Sequence, residues 1–231
     1  MKKILLFPGC IYKNDLPDLL QKYLSLLTNI GVNINLFEDS ICCGYVFRIL
    51  GRTELFRENA DKLVKKINSL NPDTIINLCP TCNRHFEKHL KRDCGLNTNI
   101  ETYHISKFLL QYEQLILPAQ KKKGIIAYQD SCYLGRRSGD YDSPRQLIRK
   151  LGYELRDGEK SREFSVCCGY SGLVPVYHPE ISSITGTSKM DYFKSSGVDY
   201  VVTNCPRCYI GLKKNNTTKL KVLDFIELFS K

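Results

Sequence analysis

The chain contains Ile41-Cys42-Cys43-Gly44-Tyr45 and then repeats it as Val166-Cys167-Cys168-Gly169-Tyr170. Each copy sits in the same larger frame. Cys10 precedes the first, with 31 residues between it and Cys42, and 34 residues separate Gly44 from Cys79-Pro80-Thr81-Cys82. Cys132 precedes the second, with 34 residues between it and Cys167, and 35 residues separate Gly169 from Cys205-Pro206-Arg207-Cys208. Ten of the 11 cysteines fall into these two frames, five to each. Whatever each half folds into must gather five thiols from a stretch of more than 70 residues, and the chain must do so twice.

The pattern between the cysteines says how. Lys3 to Pro8 is a short apolar run suited to a buried parallel strand, with Cys10 just past its end. A helical stripe from Leu16 to Ile30 closes at Gly31. Val32 to Phe37 alternates as a second strand, and Cys42-Cys43-Gly44 follows it. Thr53 to Leu70 reads as an amphipathic helix and Asp73 to Leu78 as a third strand ending at Cys79. Pro80 suits the first turn of a helix running to about Lys91. A strand near Ile100–His104 and a helix over Ser106–Leu115 complete the half.

After a linker at Leu117–Gly124 the order is replayed. Strands are expected at Gly124–Tyr128, Tyr153–Leu155, Tyr200–Asn204 and Leu220–Leu223. Helices are expected from Ser143-Pro144 to Leu151, over much of 178–195, and at Asp224–Phe229. Alternating strands and helices imply parallel sheets, in which ligands bind beyond the carboxyl ends of the strands. Both sets of cysteines fall past such ends, so topology and spacing agree.

Bulk properties bound the function. A hydrophobic content of 42% is that of a folded protein. The apolar run Ile4–Phe7 is shorter than the ~7–15 residues of a signal core, and no segment reaches the ~18 apolar residues of a membrane helix. A cytoplasmic protein with no direct membrane insertion is therefore expected, and in that compartment so many cysteines point to metal or cluster ligation rather than to disulfides. The net charge of +10, from 34 Lys+Arg against 24 Asp+Glu, suggests an acidic partner. No nucleic-acid module accompanies it, and Lys121-Lys122-Lys123 reads as a solvated linker.

Five thiols per half exceed the four of a structural zinc site. Adjacent cysteines serve a single small ion poorly, because successive side chains point apart; they suit a multi-iron object. A cubane takes four cysteines, so five leave either one spectator or a non-standard cluster. Gly44 and Gly169 let the backbone approach a bulky cofactor. The Cys-Pro-x-Cys units place thiolates at helix N-termini, where the dipole favours the anion. Zinc in one or both halves and a thioredoxin-like redox pair are the alternatives.

This double frame resembles the cysteine-rich CCG domain of the heterodisulfide reductase catalytic subunits of the B and D types, and of related iron–sulfur subunits linked to glycolate, lactate, glycerol-3-phosphate and succinate oxidation. The stretch from Asp130 to Arg145 is similar to the Asp-Pro-Cys-His-Leu-Gly-Arg region of the D-like branch, with Ser131 and Tyr133 where that branch has Pro and His. The resemblance covers essentially the whole chain. It implies an α/β fold of two tandem, pseudo-two-fold-related Rossmann-like domains with parallel sheets, residues 1–118 and 119–231, their cysteines at the strand C-terminal ends. It implies two [4Fe-4S] clusters of non-cubane type, facing each other across the pseudo-two-fold interface. Cys10, Cys42, Cys43, Cys79 and Cys82 would hold one, and Cys132, Cys167, Cys168, Cys205 and Cys208 the other.

The activity so implied is reduction or formation of a disulfide between the clusters, by one component of a larger complex acting on a small thiol or disulfide. The alternative is a non-catalytic electron-transfer subunit of a flavin-dependent dehydrogenase. The ferredoxin-like Cys-x2-Cys-x2-Cys-x3-Cys region of D-type subunits has no counterpart here. A separate ferredoxin-like C-type subunit, with a flavin-bearing A-type subunit, is the expected partner.

Other residues are read one at a time. Tyr45 and Tyr170 follow each Cys-Cys-Gly and are expected to pack over the clusters, with a proton-donor role as the sharper reading. Lys13, Arg136 and Arg137 follow the lone cysteines; Arg136 is the candidate to neutralise a cluster or a substrate carboxylate. Cys94 is expected to be a free or structural thiol, and His85 and His89 to lie on a solvated helix face. His104 and His178 receive no role.

Overall fold

The computed structural model describes residues 2–116 and 124–229. It divides into two compact units, one ending at Phe108 and the other beginning at Leu109. The linker expected over Leu117–Gly124 lies, Gly124 apart, outside the described residues, as does the domain boundary expected between residues 118 and 119.

The first unit runs β1 (Ile4–Phe7), α1 (Gly9–Asn14), α2 (Pro17–Asn29), β2 (Ile34–Leu36), α3 (Tyr45–Ile49), α4 (Thr53–Leu70), β3 (Thr74–Asn77), α5 (Pro80–His85), a π-helical turn (Phe86–Leu90), α6 (Lys91–Asp93), β4 (Glu101–His104) and α7 (Ile105–Leu109). The second runs β5 (Ile125–Tyr128), α8 (Asp142–Lys150), β6 (Glu154–Leu155), α9 (Val174–Tyr177), α10 (Pro179–Ser195), β7 (Tyr200–Thr203), α11 (Pro206–Lys214) and β8 (Lys221–Asp224).

Each unit carries one four-stranded, wholly parallel sheet. The strand orders are β2-β1-β3-β4 and β6-β5-β7-β8, which is the same order twice. In register, Leu5 pairs with Ile75 and Ala127 with Val201. The central strands are apolar runs rather than alternating ones because helices cover both faces. Accordingly Ile4–Phe7 and Thr74–Asn77 are buried at every position.

α4 shows how the sequence builds this core. Phe56, Ala60, Leu63, Val64 and Ile67 recur at helical spacing and are all buried, while the charged residues between them face solvent. Burying one such leucine contributes about 1.5–3 kcal/mol. The helix stops at Asn71, in the left-handed region at φ 44°. Gly197, at φ 63°, occupies the corresponding place after α10, three residues before β7 as Asn71 is three before β3.

The structure departs from the sequence expectation in its short pieces. Cys10 and Tyr45 lie in one- to two-turn helices, α1 and α3. The helix expected over Ser106–Leu115 is the short α7 followed by a 3-10 turn, and that expected at Asp224–Phe229 is a 3-10 turn over Phe225–Phe229. Segments this short carry too few residues to display a helical period. No helix among the described residues is long and apolar enough to cross a membrane.

Candidate functional site

The strand ends position the thiols. Cys79 and Cys205 sit two residues beyond β3 and β7, each as the extended residue capping a helix whose first residue is proline. Proline costs nothing there, since the first N–H of a helix has no intrahelical acceptor. Cys10 lies three residues past β1 and Cys132 four past β5. The Cys-Cys-Gly of the first unit follows β2 closely, whereas that of the second comes twelve residues after β6, at the end of a longer loop. That loop is held by named donors. Gln129 Nε2 donates to Val166 O at 3.3 Å, and Arg136 Nη1 donates to Ser165 O at 2.5 Å and to Glu163 O at 3.3 Å. Arg136 thus serves the loop that presents Cys167, besides drawing the Cys132 thiol toward its ionised form.

In the first unit neighbouring thiols influence one another's ionisation, Cys10 with Cys42, Cys42 with Cys43, Cys43 with Cys82 and Cys82 with Cys79. In the second, Cys167 is coupled in this way to Cys168, Cys168 to Cys208 and Cys208 to Cys205. Cys132 joins that set through electrostatics alone, from Cys205 and Cys168. All ten cysteines singled out from the sequence are therefore gathered, five in each unit. Cys94 is not. It is half-buried on a separate cleft of about 590 Å³ with Arg48, Thr53, Phe56, Arg57, Ala60, Asp61 and Asp93.

The charge pattern is the same in both sets. Hydrogen bonds from Cys42 and then Cys82 hold the Cys43 thiol down at about 6, while the neighbouring Cys42 is pushed up to about 11 by Cys43 and burial, against the lowering bond from Cys10. Likewise Cys168 is held well below the thiol range by Cys167 and Cys208, and those two are raised by their bonds to it. The second cysteine of each Cys-Cys-Gly is thus the favoured thiolate. Cys79 is lowered too, by its bond from Cys82 and by the backbone N–H groups of Cys82 and Thr81. Burial raises Cys132 to about 11.

Among the described residues, no group of three or more His, Cys, Asp or Glu side chains is arranged to hold a metal ion. Sulfurs strung as a chain suit instead a polynuclear centre, whose metals meet different sulfurs. The backbone fits a bulky group as well. Gly9, at φ 77°, stands where a Cβ would lie 3.2 Å from Cys82 Sγ; sequence reasoning missed it, although Pro8-Gly9 before Cys10 was the available signal. A cavity of about 210 Å³ opens beside Gly9, Cys10 and Cys42, with Lys13 on its wall donating to Glu38 O.

Gly44 and Gly169 have φ of 85° and 74°. At Gly169 an added Cβ would lie 2.8 Å from Ser182 O, a backbone atom that cannot swing aside. Gly169→Ala is expected to cost more than the ~1–2 kcal/mol of a left-handed alanine, read as a lower urea midpoint. At Gly44 the crowding atom is Asn59 Nδ2 at 2.8 Å, which donates to Cys42 O, so Gly44→Ala also disturbs the loop's own anchor.

The tyrosines differ between units. Tyr170 packs on Gly211, where an added Cβ would collide with Tyr170 Cβ, and its N–H bonds the Cys168 sulfur. Tyr45 packs against the apolar cluster containing Cys43, Cys79 and Cys82, with its ring 6.0 Å from that of His85. His85, three residues after Cys82, stands where the second unit has Gly211, three after Cys208.

The expected solvated face fails at His85. Its side chain is 1% exposed, edge-on to Phe56 at 5.6 Å, and neither ring nitrogen has a hydrogen-bond partner among the described residues. The helix face that carries it is covered by α3 and α4, a tertiary effect its polar sequence neighbours do not show. His89 is half-buried beside Asp93 at 3.4 Å. Burial pushes His85 down from 6.5 to about 3. The unfolded chain therefore takes a proton below pH 6.5 that the folded chain refuses until about pH 3. This stability is complete above pH 6.5 and falls by up to ~1.4 kcal/mol per pH unit below it. His85→Leu should flatten that decline by about 2 kcal/mol between about pH 6.5 and pH 5; parallel declines in the two proteins would contradict it. His104 is structural, accepting or donating at Ser106 Oγ (2.8 Å) and donating toward Leu78 O (3.2 Å). His178 is exposed.

Comparison with known proteins agrees with this construction. The B-type subunit of a fumarate reductase (CoM/CoB) from Methanothermobacter marburgensis is 28% identical over 96% of this chain and 45% of its own length. The D-type subunit of a dihydromethanophenazine:CoB–CoM heterodisulfide reductase from Methanosarcina barkeri is 26% identical over 97% of this chain and 58% of its own. The chain thus spans about half the length of these relatives. Among solved structures, a hypothetical protein from Helicobacter pylori superposes with a TM-score of 0.63 over 99% of this chain and 48% of its own, at 13% identity, which shows the shared α/β fold alone. Residues 4–87 and 126–213 each match the cysteine-rich domain described as CCG. The chain therefore belongs to the CCG cysteine-rich family, and it carries the domain twice.

Proposed function

We propose that this chain is an iron–sulfur subunit of a heterodisulfide reductase-like complex, reducing or forming a disulfide with two [4Fe-4S] centres of non-cubane type. The observation that carries the proposal is the duplicated set of five cysteines, placed beyond the strand ends of two sheets of the same strand order, with Cys79 and Cys205 at matching proline-led helix starts. Cys10, Cys42, Cys43, Cys79 and Cys82 would hold one centre, and Cys132, Cys167, Cys168, Cys205 and Cys208 the other. Cleaving a disulfide breaks one S–S bond, takes up two electrons and two protons and releases two thiols. Bound in these sets, two such centres would supply one electron each.

The protein's own residues have narrower tasks. Thr81, Cys82 and Tyr170 N–H groups neutralise sulfur charge. Gly9 leaves room beside the Cys82 sulfur, whereas the space at Gly44 and Gly169 is taken by Asn59 and by the Ser182 backbone, so those two glycines shape the Cys-Cys-Gly loops rather than admit a centre. Lys13, on the wall of the cavity beside Cys10 and Cys42, offers an ammonium to an anionic thiol compound. Tyr45 and Tyr170 are the candidate proton donors to a released thiolate. A C-type ferredoxin-like subunit would deliver electrons from an A-type flavin subunit, with the chain's net charge of +10 favouring an acidic partner.

The test is disulfide reduction by the anaerobically purified protein with a reduced viologen as electron donor. Thiol release dependent on both cysteine sets supports the proposal, and none from a fully iron-loaded protein counts against it. The similarity to a component of a fumarate reductase favours a second reading, an electron-transfer role within a flavin-dependent dehydrogenase, in which loaded protein is reduced and reoxidised by dyes without cleaving any disulfide.

A further inference from the structure

α3 and the first turn of α4 form a helical hairpin whose tip faces solvent without a break from Arg48 to Leu55. The turn between the two helices is closed by the Arg52 N–H, which donates to Phe47 O at 2.9 Å. Ile49, Leu50 and Leu55 on this tip are 39%, 43% and 49% exposed, and α4 exposes no other large apolar residue. Exposed apolar residues scattered singly are ordinary, whereas a group of them on one hairpin marks a surface that something covers. The charges beside them are one-sided. Arg48, Arg52 and Arg57 share the span with Glu54 as its only acid. The Arg52 and Arg57 side chains make no hydrogen bond or ion pair among the described residues. Arg48 stands 3.9 Å from Asp93, which Arg92 holds more closely at 2.6 Å.

The second unit repeats the apolar part of this surface and drops the basic part. A Cβ on Gly44 would meet Phe56 and Asn59, and one on Gly169 would meet Ser182 and Thr185, which aligns α4 with α10. On that alignment Leu50 and Leu55 correspond to Val176 and Ile181, both exposed. Arg52 and Arg57 correspond to His178 and Ser183, and Val174 to Ser183 contains no Lys or Arg. Apolar exposure at this place is thus a property of the duplicated fold, while the arginines belong to the first copy. The hairpin is also tied to the first Cys-Cys-Gly: Gly44 caps α3, and Asn59 Nδ2 of α4 donates to Cys42 O at 2.9 Å.

We infer that the α3–α4 hairpin of the first unit is the docking surface for a small acidic electron-carrier protein. Apolar residues flanked by arginine are the composition of a protein interface, and the unpaired guanidinium groups set the sign of the partner's charge. A surface this small suits a transient redox encounter, which sits at the low end of interface size. Naming the partner an electron carrier rests on the iron–sulfur reading given above; its place and its charge do not. The docked carrier would lose one electron and the centre held by Cys42 and Cys43 would gain it, with no covalent bond made or broken.

Binding is measured first, because it needs no iron in the chain: the affinity of the full chain for an oxidised acidic ferredoxin, from low to high ionic strength. Wild type should bind at low salt and weaken as salt rises. Arg52→Gln with Arg57→Gln should weaken low-salt binding by about tenfold or more and flatten its salt dependence. Arg52→Lys with Arg57→Lys should keep both near wild type. Leu50→Ser should weaken binding at low and high salt alike, since apolar burial is not screened, and Val176→Ser should change nothing. The double glutamine variant binding like wild type at every salt, or wild type failing to bind at low salt, would overturn the inference. So would a self-associated wild type that Leu50→Ser makes monomeric, which assigns the hairpin to a second copy. The second measurement is the rate at which reduced ferredoxin reduces the iron-loaded chain, relative to methyl viologen, and that ratio should fall in the double glutamine variant. The expected binding in a chain that loads no iron would support the docking surface and overturn the iron–sulfur reading.

Discussion

Arg145→Ala should cost about 3–5 kcal/mol of stability, the penalty for leaving a buried charge without its partner. That is a large part of the ~5–15 kcal/mol that holds an ordinary domain together. The Arg145 side chain is fully buried. Nη1 and Nη2 grip Asp130 Oδ1 and Oδ2 at 2.6 and 2.9 Å, while Nε and Nη2 reach Asp157 at 2.7–3.0 Å. The plane lies over the Tyr128 ring at 5.1 Å. Asp130 also accepts the Arg162 N–H at 2.7 Å, so one guanidinium ties the residue two before Cys132 to α8 and to the loop leading to Cys167. Lysine cannot reproduce that fork, so Arg145→Lys should recover little of the loss. Asp130→Asn together with Arg145→Met, which removes both charges, should recover more of it than either change alone. Denaturant midpoints decide this. A loss under ~1 kcal/mol in Arg145→Ala, the level of a surface ion pair, would show that the network is not what holds these loops.

Cys168→Ser should remove one centre and spare the other, halving the iron from about eight to about four per chain. Cys168 is the buried thiolate that receives both Cys167 and Cys208, and a serine oxygen is a poor ligand for the thiophilic metals such a set selects. Cys43→Ser should do the same to the first centre, because Cys43 occupies the same place between Cys42 and Cys82. Serine scanning of all five positions also resolves the open count. A five-sulfur centre loses iron at every position, whereas a cubane with a spectator keeps it at one. Cys132, which joins its set through electrostatics rather than a hydrogen bond between sulfurs, is the position where the two differ most sharply.

How much of this was legible follows from the range of each interaction. The duplicated cysteine frame and the apolar runs at Ile4–Phe7 and Thr74–Asn77 report local spacing, and the two parallel sheets follow from them. The alignment of Cys79 and Cys205 at proline-led helix starts was legible for the same reason. Arg145 and Asp130 carried no such signal. A charged residue at a helical core position resembles a surface residue until the fold brings its counter-charge from elsewhere in the chain. His85 was misplaced because its immediate neighbours are polar, while Tyr45 and Phe56, which bury it, lie about 30 to 40 residues earlier. The π turn at Phe86–Leu90 likewise leaves no trace in the residue pattern, since it changes the hydrogen-bond register and not the composition.

The most direct measurement is iron, labile sulfide and zinc per chain in protein purified without oxygen, with EPR on the thiol-treated oxidised sample. Two five-sulfur centres predict about eight irons, a matching amount of sulfide, and a signal unlike that of a cubane cluster. Iron in one half with zinc in the other would contradict the pairing of centres on which disulfide chemistry depends.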